Sequence, residues 1–261
     1  MTGGRLERLL RRDRAIVLAA LAAIVLLAWT CLLMSAAPAP GSGRGAMGME
    51  MGSAWSAADF LLMLAMWAAM MVGMMVPSVA PMLLLYARVA RSAEARGQPF
   101  AATGWFACGY LAAWSAFALL ATCAQWLLEQ AALMTPAMAL ADRRLAGAVL
   151  LAAGIYQWTP AKNACLGRCR SPLQFIQSQG GFRRERHASL VLGLKHGAYC
   201  IGCCWALMLL LFLGGVMNLL WIAALAAIVL AEKVAPGGRV LARVAGTVFI
   251  VAGAAMLVGV I

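Results

Sequence analysis

Long, almost uncharged apolar runs constrain this chain more than anything else in it. Seven of them lie near 15–34, 58–86, 103–127, 145–159, 189–213, 216–231 and 240–261. A helix that crosses a bilayer needs about 20 mostly apolar residues. In lipid every backbone N–H and C=O has to be satisfied internally, which a helix achieves and an open strand does not. The runs therefore predict an all-α fold, a polytopic transmembrane bundle of about seven helices. The fourth and sixth runs are short, and tilted, re-entrant or bundle-buried segments of that length would reduce the count of full spans to six. Composition excludes the soluble alternative: 11% of residues are charged, against about 25% in an ordinary soluble domain.

The basic residues sit between the runs. One side collects the arm with Arg5, Arg8, Arg11, Arg12 and Arg14, then Arg88, Arg91 and Arg96, then Lys162, Arg168, Arg170, Arg183, Arg184 and Arg186, then Lys233, Arg239 and Arg243. Lys195 lies just inside the fifth run, near the same side. Only Arg44, Arg143 and Arg144 fall on the other. By the positive-inside rule this is a protein of the bacterial inner membrane with its N-terminus in the cytoplasm and, with seven spans, its C-terminus outside. The net charge of +12 is thus a signal for topology and anionic lipid, and no nucleic-acid partner is implied. Residues 1–34 read as a signal-anchor helix, with a cleavable signal peptide as the alternative because Ala36, Ala37 and Ala39 follow. Residues 35–57, rich in Gly, Pro, Ser and Met, read as a flexible outer linker, and 58–261 as the bundle.

Methionine is distributed unevenly. Eleven of the 17 lie between Met34 and Met82. Met47, Met49 and Met51 alternate in the linker, where apolar packing does not explain them. In the second run, Met63, Met66, Met70 and Met74 share a stripe about 80° wide at about 100° per residue. Thioethers are soft neutral ligands that suit Cu(I), although a methionine stripe by itself also serves as adaptable core packing. Pro77 and Pro81 follow and remove backbone donors from that helix.

In the fifth run, His196, Cys200, Cys203 and Cys204 stand at i, i+4, i+7 and i+8, within about 100° of one helix face. One imidazole and three thiols form a soft-metal donor set. A histidine within a membrane helix is a functional candidate by default. The competing reading is a small-residue helix interface, with the cysteines packed beside Gly193, Gly197 and Gly202. Cys165 and Cys169 form a further pair in the basic loop at 160–188, where Lys162, Arg168 and Arg170 would favour thiolates. Glu232-Lys233 reads as an interfacial pair of little energetic weight, with Glu232 as a proton- or ion-carrying carboxylate the alternative. Cys31, Cys108 and Cys123 are scattered and read as packing. The chain carries no P-loop, no Gly-x-Ser-x-Gly elbow and no histidine pair for haem.

Several motifs together resemble a bacterial family of unknown function described as predicted metal-binding integral membrane proteins. They are Gly154-Ile155-Tyr156-Gln157-Trp158-Thr159-Pro160 with Lys162, Cys165, Cys169, Arg170, Ser171 and Pro172; Gly197 through Cys200, Gly202, Cys203, Cys204 and Trp205 to Met208; Gly215-Val216-Met217-Asn218-Leu219 with Glu232-Lys233; and the methionine-rich Trp67 to Ser78. The resemblance spans residues 60–235 and implies a metal-binding membrane protein. The expected ion is Cu(I), with Zn(II) compatible with the His/Cys set but not with the methionines. The expected task is copper transfer, export or delivery to a periplasmic or membrane metalloprotein. A membrane thiol-disulfide oxidoreductase and a non-catalytic assembly or scaffold subunit are the rival readings.

Overall fold

The computed structural model describes residues 3–36, 55–94, 97, 103–182 and 185–260. Met47, Met49 and Met51 lie outside these residues. The described chain is helical almost throughout: α1 (Gly3–Ala36), α2 (Ala57–Glu94), α3 (Thr103–Gln130), α4 (Arg143–Trp158), α5 (Pro160–Arg170), α6 (Pro172–Ser178), α7 (Arg186–Leu209), α8 (Leu211–Gly214), α9 (Leu219–Val234) and α10 (Gly238–Val258).

Each of the seven apolar runs forms a helix: α1, α2, α3, α4, α7, α9 and α10. Five stretches, Arg14–Ala36, Ala57–Ala93, Thr103–Gln130, Arg186–Gly214 and Gly238–Val258, are long and apolar enough to cross a membrane. The helices α4 and α9 have 16 residues each. At about 1.5 Å per residue that is about 24 Å, short of a hydrocarbon core of about 30 Å. The outer surface is apolar, with Leu27, Leu120, Leu220 and Val251 all exposed. Such a surface suits lipid as its solvent.

The stretch at 160–188, expected as a basic loop, instead begins with two further helices. The Thr159 hydroxyl caps α5 by accepting from the Lys162 N–H at 3.2 Å, and Pro160 occupies the first turn, where its missing donor costs nothing. Pro172 likewise occupies the first turn of α6, which has no side-chain cap. These helices fold back on the bundle, leaving Leu166, Phe175 and Ile176 fully buried.

Glycines set how closely the long helices approach. The antiparallel α4 and α10 meet at Gly147/Gly253 and at Gly154/Gly246. A methyl group on Gly154 would stand 2.7 Å from the Gly246 carbonyl oxygen, and one on Gly246 would stand 2.9 Å from that of Gly154. The α3–α7 contact is tighter still, with Gly193 against the Phe106 carbonyl and Gly109 against that of Leu190. Small residues permit such backbone approach where no hydrophobic driving force acts between helices in lipid. At one end of the bundle, Leu140 N–H donates to the Phe212 carbonyl and Val216 N–H to that of Met138, tying the α3–α4 loop to the α7–α9 connection.

The long helix α2 lines the core. Met63, Met66, Met70, Met71, Met74 and Met75 are all buried, together with Trp67 and Tyr86. Replacing Gly246 with Val would force a branched side chain onto the α4 backbone. The expected result is destabilisation of about 1–3 kcal/mol, read as a lower unfolding temperature of the detergent-solubilised protein. An unchanged transition would mean that α4 and α10 do not touch there.

Candidate metal site

The elements α2, α5, α7 and α9 converge on a group of sulfurs and charges inside the bundle. Cys200, Cys203 and Cys204 of α7 are each buried to 2% exposure or less. The Cys203 sulfur lies 3.3 Å from that of Cys204 and 3.8 Å from that of Cys169, which α5 carries in from the other side. Cys203 also donates to its own helix, to the Cys200 carbonyl at 3.2 Å. The Tyr110 hydroxyl of α3 stands 3.1 Å from the Cys200 sulfur.

Two lysines reach this group. Lys233 of α9 donates to the Cys200 sulfur at 2.8 Å and to the Ser78 hydroxyl at 3.2 Å, and its Nζ lies 3.8 Å from the Met75 sulfur. Lys162 of α5 is wholly buried and donates at 2.6 Å to both the Cys203 carbonyl and Glu232 Oε2. The other oxygen of Glu232 accepts from Gln157 Nε2 of α4 at 2.7 Å, and the Glu232 backbone carbonyl accepts from Arg170 at 2.6 Å. Glu232 and Lys233 are thus not an exposed interfacial pair. Glu232 is 1% exposed, and each partners a residue of another element. Neither could remain inside an apolar bundle without such a partner.

His196 is buried on α7 one turn before Cys200, among Phe106, Tyr110 and Phe175, with the Phe175 ring centroid 4.9 Å away. Among the described residues its Nδ1 has no hydrogen-bond partner. The predicted face is therefore buried as a whole, with Cys203 among its three thiols meeting Cys169 and the imidazole standing apart among aromatic rings. Cys165 is half-buried, and its sulfur fills the space beside Gly202 of α7. The expectation of thiolates in this helix is not met. Burial pushes the Cys165 thiol upward, and Lys162 and Arg168 offset that only in part. The Cys169 thiol is also raised, first by its hydrogen bond with Cys200. Cys31 and Cys108 are exposed, away from the group.

Of the methionines, periodicity singled out Met63, Met66, Met70 and Met74, yet Met75, outside that stripe, is the one whose sulfur lies against Lys233 at 3.8 Å. Sequence reasoning also missed Lys233, Tyr110 and Gln157 as partners, and treated Lys162 as a topology signal. The available signal was cost: an ionisable or amide group beside or within an apolar run needs a partner.

Among the described residues no three His, Cys, Asp or Glu side chains already form a closed metal site. The donor chemistry nevertheless fits a soft, low-coordinate ion. Two metal–thiolate bonds of about 2.3 Å span about 4.6 Å when collinear. The Cys169–Cys203 separation of 3.8 Å therefore needs to open by less than about 1 Å, or to accept a bent arrangement. Thiolate and thioether donors select Cu(I) over hard cations.

Comparison with known families bears on the metal. Residues 64–256, 193 of the 261 in the chain, match the family PpoB2, described as a copper chaperone. The chain belongs to this copper chaperone family. The matched region contains every thiol and charge of the site just described, as well as α2 from Leu64 onward. No curated protein and no solved structure matches the chain. The family description names copper, the metal expected from the soft donors of the sequence.

The Lys162–Glu232 pair yields a stability prediction. Glu232→Gln leaves a buried ammonium uncompensated and is expected to cost about 3–5 kcal/mol. A Lys162→Met, Glu232→Leu double change removes both charges and should recover most of that loss. Thermal unfolding of the purified variants checks both; equal stability of Glu232→Gln and the parent would mean that the pair is not formed.

Proposed function

We propose that this copper chaperone carries Cu(I) through the membrane bundle and hands it on by exchange between sulfur ligands. The observation that carries the proposal is the group of four thiols at Cys169, Cys200, Cys203 and Cys204, with the ammonium groups of Lys162 and Lys233 at its edge. Cys203 and Cys169 are the central ligands, with Cys200 and Cys204 in contact for exchange. The unpartnered Nδ1 of His196 is a further neutral donor one turn away. Copper is the cargo here, not a resident cofactor.

The methionines of α2 extend the path. From Met63 to Met75 is 12 residues, about 18 Å along a helix, with Met66, Met70 and Met74 between. Neutral sulfurs at such intervals hold a soft monovalent ion without trapping it in a deep site. Met47, Met49 and Met51 would collect or release the ion on the outer face, and Cys165 would meet it on the inner side. The positive-inside pattern gives the orientation: N-terminus in the cytoplasm, C-terminus outside, in the bacterial inner membrane. A periplasmic or membrane metalloprotein is the recipient.

The test is metal content of the reduced, detergent-purified protein after growth in copper and in zinc. The expected result is about one or more tightly held copper ions per chain, by analogy with other soft-ligand sites. Cys203→Ser and Cys169→Ser should each lose most of that copper, and Met70→Leu should slow its transfer without abolishing binding. Absence of copper, with a stable Cys169–Cys203 disulfide in its place, would favour a thiol oxidoreductase instead.

A further inference from the structure

The two lysines at the site differ in one respect. Lys162 is neutralised by Glu232 at 2.6 Å. Lys233 is also buried, yet its hydrogen-bond partners are a thiol, a hydroxyl and a thioether: Cys200, Ser78 and Met75. The carboxylate of Glu232, its neighbour in sequence, is already taken by Lys162 and Gln157. Among the described residues, the site therefore contains one ammonium charge whose hydrogen-bond partners include no carboxylate, within hydrogen-bonding distance of a candidate ligand sulfur.

Low dielectric makes the net charge of such a site decisive. Two thiolates and one ammonium sum to a single negative charge. A monovalent ion brings the total to zero. A divalent ion leaves an uncompensated positive charge in the bundle and is also repelled by Lys233 directly. Without the ammonium the balance reverses: two thiolates neutralise a divalent ion and leave a monovalent one with a negative excess.

We propose that Lys233 is a specificity-determining residue, whose buried ammonium makes the thiol site select monovalent soft ions, Cu(I) and Ag(I), against Zn(II). Softness alone does not provide this selection, because thiolates bind Zn(II) well. This role rests on the copper-carrying reading of the same thiols. Lys233 acts through the ligands and need not touch the ion. Its position on α9, beside α2 and α7, allows it to keep this charge near the ion whichever pair of sulfurs holds it.

The experiment measures Ag(I) and Zn(II) affinities of the reduced, detergent-purified full chain by competition with chelators of known affinity. Dithiothreitol, a dithiol without a nearby cation, sets the baseline ratio. Wild-type protein should prefer Ag(I) to Zn(II) by at least about tenfold more than dithiothreitol does, a threshold well below the about thousandfold that one unit charge about 4 Å away gives at an effective dielectric of about 20. Lys233→Gln should remove that extra preference, chiefly by tightening Zn(II), whereas Lys233→Arg should keep it. A wild-type ratio no better than that of dithiothreitol overturns the proposal, and this measurement does not depend on any variant folding. A Lys233→Gln ratio equal to wild type also overturns it. Failure of the wild type to bind either ion overturns the copper-carrying reading itself and, with it, this role.

Discussion

The interior of this protein is organised by the need to neutralise charge where water is absent. The Lys162–Glu232 pair, at 2.6 Å and almost without exposure, joins α5 to α9. Gln157 adds α4, and the Cys203 carbonyl adds α7. Four elements are thereby fixed around one ion pair. The desolvation cost of two buried charges is several kcal/mol each. It is offset only when the geometry is good and every remaining hydrogen-bonding valence is filled, so the pair specifies arrangement more than it adds stability. The thiols of α7 inherit their position from it, because Lys162 grips the backbone at Cys203.

Around that frame the sulfur donors form a soft interior that water and hard ions do not favour. Cys169 arrives on α5 only because the chain turns at Thr159-Pro160 and folds back as a helix. The glycines of α7 do separate work. Gly193 and Gly197 bring α3 close, which places Tyr110 beside Cys200. The small-residue reading and the metal reading of this helix therefore do not compete, since Gly193 and Gly197 share a face with Cys200 and Cys204 and let α3 approach it.

Much of the bundle was legible in the chain. Apolar runs of the right length gave seven helices, and the spacing of His196, Cys200, Cys203 and Cys204 placed them together on a buried face. The cysteine pair at 165 and 169 was recognised as chemistry, but not that Cys169 alone would contact the α7 thiols. The methionine stripe was read by helical period, which reports a face and not a neighbour; Met75 lies off the stripe and beside Lys233. Glu232-Lys233 was misread because adjacent opposite charges at a helix end usually meet water. Here the two side chains diverge, one to Lys162 and one to Cys200.

By itself the sequence determined the solvent, the helical class, the number of apolar helices and the presence of soft donors. These follow from local properties: the length of an apolar run, the residues within it and their period along one helix. Only the tertiary structure decided which donors meet, which lysine is neutralised by a carboxylate and which is only hydrogen-bonded to sulfur and hydroxyl, and that the basic segment after α4 is part of the interior. Those depend on contacts between residues distant in sequence, such as Lys233 with Ser78, which are 155 positions apart. No local pattern encodes such a contact, because it arises from how all the helices pack at once.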